Sequence, residues 1–288
     1  MKTNLECVPC FLRQSLEAAR MATTDIQIHE AIIKEVMEYL QTISYEKSPP
    51  EISRKVHHII RTLSDTPDPY KQSKIQSNIA AEKLYPFLKQ RVNQSEDPLI
   101  TAITLAIIGN VIDFGTSNRF AVEDMLNKPL DATFSEKTYP LFKNAYGKAS
   151  TILYLADNAG EVFFDKLLIE ELIHQKKQIF YAVKTNPIIN DATLEDALYA
   201  GIDQYASIIQ VDKGQSLSTP GVLLPYASTE FMNLFNTVDL VISKGQGNYE
   251  SLNDQTREIF FLLTVKCPLI AEDVGATLAS LIFEVNRG

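Results

Sequence analysis

The sequence predicts an α/β protein in which an all-helical N-terminal region precedes a Rossmann-like three-layer α/β/α domain with a mostly parallel sheet. From residue 1 to about 148, apolar residues recur at helical spacing between proline-containing breaks. From about 149 onwards, short β-rich apolar runs alternate with helical runs. Such alternation gives a parallel sheet with helices on both faces. We therefore expect two domains, at 1–148 and 149–288.

The helical region contains five stretches that read as helices. Thr24 and Gln27 form a capping-box pattern before the second stretch. Prolines at Pro49, Pro67 and Pro98 fall in the breaks between stretches. The predicted helices lie at about 12–22, 26–40, 56–63, 75–88 and 99–112.

The second region contains five strand-like runs with helical runs between them. The predicted strands are 151–155, 178–183, 207–211, 240–242 and 259–265. The predicted helices between them are 162–173, 193–200, 228–236 and a short one near 249–252.

Composition narrows the class of protein. The chain has 288 residues, 45% hydrophobic and 22% charged, which is typical of a globular protein with a sizeable core. The formal net charge of -9 argues against a nucleic-acid-binding protein, which needs a basic face. No apolar run is long enough to span a membrane, and the N-terminus lacks a signal-peptide core. We expect a cytoplasmic protein without internal repeats.

The first strand is followed by Asp157 and Asn158, just before a predicted helix. Ligands of open α/β sheets bind where strand carboxyl ends meet helix amino ends. Helix N-termini attract phosphate, and hard oxygen ligands suit Mg²⁺, Mn²⁺ or Ca²⁺. The alternative is that both residues only cap the helix.

The second strand is followed by Asn190 and Asp191, at the same edge of the sheet. Thr193 and Asp196 form a capping box for the next helix. Asn190 and Asp191 are also ordinary turn residues. A second carboxylate at a second strand end is nevertheless better explained by a bound cation.

Two further segments carry polar residues that such a site could use. Lys244, Gly245 and Gly247 follow a later strand, where glycine N–H groups and a lysine can hold an anion; a plain glycine turn is equally consistent. Asn110 and Asp113 interrupt an apolar helix, and the residues alone favour a structural role for them slightly.

The chain has three cysteines, too few for a disulfide scaffold. Cys7 and Cys10 have the spacing of a redox pair or of half a zinc site. We expect Cys267 to be a small buried hydrophobic residue, and the two N-terminal cysteines to have either a structural role or a metal or redox role.

Five motifs in order resemble the damage-control phosphatase family, catalogued as domain of unknown function 89, and its prokaryotic branch that begins with CxxC. The similarity spans nearly the whole chain. The motifs are Cys7-x-x-Cys10-Phe11-Leu12-Arg13-Gln14, Gly109-Asn110-x-x-Asp113, Asp157-Asn158-Ala159-Gly160-Glu161, Asn190-Asp191-Ala192-Thr193 and Lys244-Gly245-Gln246-Gly247-Asn248.

The resemblance implies a phosphatase that uses Mn²⁺, Mg²⁺, Co²⁺ or Ni²⁺ and hydrolyses small phosphorylated metabolites, such as sugar phosphates or damaged cofactor fragments. It implies that the metal ligands are Asp157, Asn158 and Asp191. It places Lys244 on the substrate phosphate. It implies that Asn110 and Asp113 lie near the substrate. Glu161 matches a position of the family motif, and its role is open. The segment at 212–221 matches the family pattern least.

The chemistry leaves several alternatives. The nucleophile is either a water with Asp191 or Glu161 as base, or Asp157 itself through an aspartyl phosphate. Gly245 and Gly247 would hold phosphate oxygens with backbone N–H groups. The competing functions are a non-catalytic metal- or metabolite-binding protein and a Rossmann-type methyltransferase, although the first loop has only Gly160 of the glycines that a methyltransferase needs.

Overall fold

The computed structural model describes residues 1–110, 137–214 and 217–286. The predicted helix at 99–112 begins in that part and ends beyond it, and Asp113 lies outside it. Six helices precede the first strand within the described residues. They are α1 (Cys7–Ala22), α2 (Ile26–Leu40), α3 (Pro49–Ser64), α4 (Lys71–Asn93), α5 (Pro98–Ile108) and α6 (Tyr139–Lys148).

The second region alternates strands and helices as predicted, and it also has a last helix and a last strand that the sequence did not predict. Its elements are β1 (Thr151–Leu155), α7 (Glu161–Leu172), β2 (Gln178–Val183), α8 (Leu194–Tyr199), β3 (Ser207–Gln210), α9 (Thr229–Thr237), β4 (Leu240–Lys244), α10 (Gln246–Leu252), β5 (Ile259–Thr264), α11 (Pro268–Val274) and β6 (Leu281–Asn286). The sheet order is β3-β2-β1-β4-β5-β6, with parallel neighbours up to β5 and an antiparallel β6. The predicted fold class is confirmed.

Side chains of β1 alternate between two cores, because successive residues of a strand point to opposite faces. Ile152 and Tyr154 pack into the core that α4, α5, α6 and α7 cover. Leu153 and Leu155 pack into the core on the other face, which α9, α10 and α11 cover. Helices α4 to α6 of the N-terminal region thus bury one face of the sheet.

Helices α1 to α3 form a third core of their own, centred on residues such as Ile32, Ile52 and Ile60. This cluster reaches the sheet through α3, which packs against α10. The α1 to α3 cluster therefore lies over the carboxyl ends of the strands, and the candidate functional site lies between this cluster and those strand ends. The domain boundary at residues 148 and 149 remains a prediction.

The structure confirms one predicted helix cap and shows that another is wrong. Thr193 and Asp196 form the predicted capping box of α8. The expectation that Thr24 opens α2 is wrong, because Asp25 is the N-cap and accepts a hydrogen bond of 2.8 Å from the Gln27 N–H.

None of the described helices has the length and apolar character needed to cross a membrane.

Candidate functional site

The loops after β1 and β2 are joined to each other by backbone hydrogen bonds. The Ala159 N–H donates to the Asn190 carbonyl at 2.8 Å, and the Ala192 N–H donates to the Asp157 carbonyl at 2.7 Å. Asn158 and Asp191 form an isolated antiparallel bridge. These bonds bring the polar residues of two strand ends to one place, as the sequence predicted for Asp157, Asn158 and Asp191.

Asn110, at the end of α5, reaches the same place from the helical region. Its Nδ2 donates to Asp157 Oδ2 at 2.6 Å and to Glu161 Oε1 at 2.7 Å. Asn158 Nδ2 donates to the same two carboxylate oxygens, at 2.8 and 2.6 Å. Two amides thus hold two acids side by side. Contact of Asn110 with the substrate, which the resemblance implied, remains a prediction.

The carboxyl groups of this site are held in an environment that disfavours their charge. Burial, and then the nearby Glu161, raises the pKa of Asp157 to about 7. Burial also raises the pKa of Asp191, with the charge of Asp157 adding to the shift. Asp191 Oδ2 is buried and accepts no hydrogen bond from the described residues. The Lys184 ammonium lies 3.6 Å from that oxygen and donates to the Gly221 carbonyl at 2.8 Å.

This donor set suits a hard divalent cation. The neighbouring carboxyl groups of Asp157 and Glu161 gain stability from a positive charge, and so does Asp191 Oδ2, which accepts no hydrogen bond from the described residues. Asn158 gives its N–H groups to the acids and keeps its carbonyl oxygen for another partner. Within residues 1–110, 137–214 and 217–286, however, no three His, Cys, Asp or Glu side chains are grouped closely enough to hold a metal. A cation would therefore rest on two carboxylates, an amide oxygen and groups from outside the protein.

Lys244 lies beneath the site and is fully buried. Its ammonium donates to Asp165 Oδ1 at 2.5 Å and to Glu161 Oε2 at 3.3 Å. Those contacts raise the pKa of Lys244 against the effect of its burial, which alone would lower it. Asp165 also accepts from the hydroxyls of Tyr154 and Tyr181, both at 2.8 Å. In this structure Lys244 neutralises two buried acids.

Gly245 allows β4 and the first loop to approach closely. Its φ is +81°, and a Cβ placed there would lie 2.0 Å from Asp157 Oδ2. A Cβ on Gly247 would lie 2.4 Å from the Pro220 carbonyl oxygen. Asn248 fixes the same helix by donating to the Ala156 carbonyl at 3.1 Å. The glycines are thus required by packing against the site, whatever else they bind.

A cavity of about 630 Å³ opens beside these residues, between the α1 to α3 cluster and the sheet edge. Asp157, Asn158 and Asp191 line it, whereas Lys244, Glu161 and Asn110 do not. The rest of the described wall comes from α1, α3 and the segments after β2, β3, β4 and β5. It includes Glu6, Cys7, Pro9, Cys10, Phe11, Arg13, Gln14, Pro49, Pro50, Ser53, Ile189, Asn190, Pro220, Gln246, Gly247, Glu250, Lys266, Cys267, Pro268 and Leu269.

Sequence reasoning missed three charged groups of this site. Lys184 and Lys266 follow β2 and β5, and their position at strand carboxyl ends was the available signal. Lys266 is exposed on the cavity wall, and its charge is the strongest cationic influence on Asp157. Glu250 is buried on α10, and burial raises its pKa to about 7.

Cys267 is half-buried on the cavity wall, so the expectation that it is buried is wrong.

The raised pKa values predict how the stability of the metal-free protein depends on pH. Burial raises the pKa values of Asp157 and Glu250 in the folded state to about 7, above their ordinary values of 3.8 and 4.5. The folded state therefore binds more protons than the unfolded state between about pH 4 and pH 7. Stability falls as pH rises through this window. We expect a higher urea midpoint at pH 6 than at pH 8, with a smaller difference in an Asp157→Asn, Glu250→Gln variant. A wild-type midpoint that rises with pH would contradict this assignment.

The chain matches the family described as the damage-control phosphatase ARMT1-like domain over residues 3–282. It is 33% identical to a damage-control phosphatase of Pyrococcus horikoshii, covering 100% of this chain and 99% of that protein. It is 30% identical to a damage-control phosphatase of Archaeoglobus fulgidus, covering 99% of each. An uncharacterized protein of Methanocaldococcus jannaschii is 36% identical, covering 96% of this chain and 92% of that protein.

The fold is similar to a solved structure as well. The crystal structure of a DUF89 family protein from Pyrococcus horikoshii superimposes with a TM-score of 0.89, at 32% identity and with 100% of both chains covered. The similarity therefore includes the helical region and the sheet together.

Proposed function

Because the chain belongs to the family of damage-control phosphatases with an ARMT1-like domain, we propose that it hydrolyses small phosphorylated metabolites with the help of a divalent cation. Membership makes it a hydrolase of the phosphatase class. The need for a cation, the identity of the cation and the choice of substrate belong to the proposal. Its main support is the joining of the β1 and β2 loops, which puts Asp157, Asn158 and Asp191 on one cavity wall.

We assign the cation to Asp157, Asn158 and Asp191. When bound, it would neutralise charge on the phosphoryl group and orient it for in-line displacement. Asn110 and Asn158 orient Asp157 by donating to its Oδ2. The buried Lys184 keeps positive charge beside Asp191, which favours the ionised carboxylate that a ligand or base must have.

Asp191 is the base that the geometry favours. It lines the cavity, and among the described residues its Oδ2 has no hydrogen bond and only the Lys184 ammonium nearby at 3.6 Å, so it can accept a proton from an attacking water. Glu161 does not line the cavity, and its oxygens accept from two amides and Lys244. We therefore assign Glu161 a positioning role. Nucleophilic attack by Asp157 itself predicts a phosphoaspartate that rapid acid quenching would trap.

The phosphate itself needs positive charge from the cavity wall. Lys244 is occupied by Asp165 and Glu161 and would have to exchange partners to contact a substrate. Lys266 and Arg13 are exposed on the wall. We assign phosphate binding to Lys266, together with the Gly247 backbone, which lines the same cavity. Gly245 contributes by allowing the close approach to Asp157.

Replacing Lys266 with alanine tests this assignment. A charge-assisted hydrogen bond to phosphate contributes about 1.5–3 kcal/mol, so KM should rise about tenfold or more. The free energy of unfolding should change little. We expect kcat to change much less than KM, because the lysine binds ground state and transition state alike. Lys83→Ala, an exposed lysine on α4, is the matched control. An unchanged KM in the Lys266 variant would remove this residue from the phosphate site.

The function itself is tested by phosphate release from a panel of sugar phosphates and phosphorylated cofactor fragments, crossed with Mn²⁺, Mg²⁺, Co²⁺ and Ni²⁺. We expect release that depends on added cation and disappears with a chelator. Tight binding of a metabolite without release under any cation would favour a non-catalytic binding protein. Phosphate release that is undiminished by a chelator would contradict the proposal that the reaction needs a cation.

A further inference from the structure

All three cysteines of the chain line the candidate substrate cavity. We call Cys7, Cys10 and Cys267 the thiol cluster. The first two lie in the first turn of α1, and the third follows β5, more than half the chain away. Each is a free, half-buried thiol, so small reagents in the cavity can reach it. The phosphatase reaction proposed above uses none of them.

Cys7 and Cys10 differ from Cys267 in two respects. They have the CxxC spacing, with Pro9 between them, at the N-terminus of a 16-residue helix. Two cysteines at this spacing and position form disulfides readily. Burial raises the pKa of the Cys7 thiol above its ordinary value. Cys10 Sγ also accepts contacts from Arg13 Nη2 at 3.8 Å and Gln14 Nε2 at 3.7 Å. Among the described residues, the contact to Cys267 Sγ comes from an amide, Gln246 Nε2, at 3.5 Å.

We propose that Cys7 and Cys10 form a reversible disulfide whose redox state sets whether Arg13 is held by Cys10 or is free to contact an anionic ligand in the substrate cavity. The oxidant is a low-molecular-weight disulfide. Exchange of this kind suits a pair of accessible thiols, because disulfides in reducing compartments are mostly transient or regulatory.

The exchange proceeds in two steps. Cys10 loses its proton, attacks one sulfur of the small disulfide and releases one thiolate of the oxidant. Cys7 then loses its proton and attacks Cys10 Sγ, forming the protein disulfide and releasing the second thiolate. Two protein thiols are oxidised, one small disulfide is reduced to two small thiols, and a reducing dithiol reverses both steps.

The consequence for the cavity follows from the contact between Arg13 and Cys10. In the reduced state Cys10 Sγ accepts from Arg13 Nη2 at 3.8 Å. In the disulfide the same sulfur is bonded to Cys7 Sγ and is a poorer acceptor, so Arg13 is released to contact an anionic ligand in the cavity. This step rests on the proposed function, because it assumes that the cavity binds phosphorylated metabolites. Oxidation should therefore lower KM and leave kcat nearly unchanged.

The disulfide is tested first, without any enzyme assay. The full chain is incubated with oxidised glutathione and analysed by intact mass and peptide mapping, with and without later reduction. We expect the loss of two hydrogen atoms and a linked peptide containing Cys7 and Cys10. The Cys7→Ser and Cys10→Ser variants should not lose them, whereas Cys267→Ser, from the same cavity wall, should. Stable glutathione adducts only, or a linkage that requires Cys267, would overturn the pairing.

The effect on the cavity is tested by phosphatase kinetics of the oxidised and reduced protein. We expect KM to be at least about threefold lower after oxidation, as one partly exposed charge can provide. Arg13→Gln should still form the disulfide but lose the change in KM. An equal or higher KM in the oxidised wild type would overturn the release of Arg13. If no phosphatase activity is found at all, the proposed function fails while the mass measurement still decides the disulfide.

Discussion

Replacing Asp157 with asparagine is expected to reduce phosphate release at least about 100-fold and to raise the melting temperature of the metal-free protein. The loss of activity follows because asparagine supplies no charge for a cation, and removing one charge-stabilising group from a reacting centre costs about this much. The gain in stability follows because burial, and then the nearby Glu161, raises the pKa of this carboxyl group to about 7. Asparagine has nearly the same shape and removes the charge.

The combination of effects is the informative result. A residue needed only for folding would lose stability and activity together, whereas a residue whose charge is kept for function gives a more stable and inactive variant. Activity is measured as initial rates with saturating cation, and stability by thermal melting after chelation. Asp203→Asn, an exposed carboxyl group on the same half of the chain, is the control and should change neither. Wild-type turnover in Asp157→Asn would remove this residue from the site.

Replacing Lys244 with methionine is expected to have the largest effect on stability. The lysine is fully buried and pairs with Asp165 and Glu161. Removing one partner of a buried ion pair leaves an uncompensated charge and costs about 3–5 kcal/mol. We expect a correspondingly lower free energy of unfolding from urea titration at pH 7.5.

A double variant separates the lost charge from the changed shape. Lys244→Met with Asp165→Asn removes opposite charges together, so it should recover part of the lost stability. Lys83→Met, on an exposed face of α4, is the control and should change stability by less than about 0.5 kcal/mol. If Lys244→Met keeps the wild-type unfolding midpoint and only raises KM, Lys244 is a phosphate ligand, as the resemblance implied, and the ion-pair role is wrong.

The sheet and its helices were predictable because their signals are local. The runs at 151–155 and 178–183 coincide with β1 and β2, since buried parallel strands are short, apolar and rich in β-branched and aromatic residues. Strand β6 was missed. Its residues are mostly half-buried and it pairs antiparallel at the sheet edge, so it lacks the continuous apolar run of the inner strands.

The site was predictable where it depends on strand ends. Asp157, Asn158 and Asp191 follow parallel strands, and parallel strands end at one edge. What could not be predicted is the direction in which a side chain at such an end points. Lys244 and Lys266 both lie near the end of a strand, yet one is buried among acids and the other is exposed on the cavity wall. That difference is set by the packing of α7 under the sheet edge, which supplies Glu161 and Asp165.

The most direct test of the cation site is anomalous diffraction from crystals of the protein soaked with Mn²⁺ at pH 7.5. The proposal predicts an anomalous peak within coordination distance of a carboxylate oxygen of Asp157 and one of Asp191, with the Asn158 carbonyl oxygen as a third ligand. The peak should be absent in Asp157→Asn crystals soaked in the same way. A fully soaked wild-type crystal with no peak between the β1 and β2 loops, or with manganese bound only elsewhere, would contradict the account.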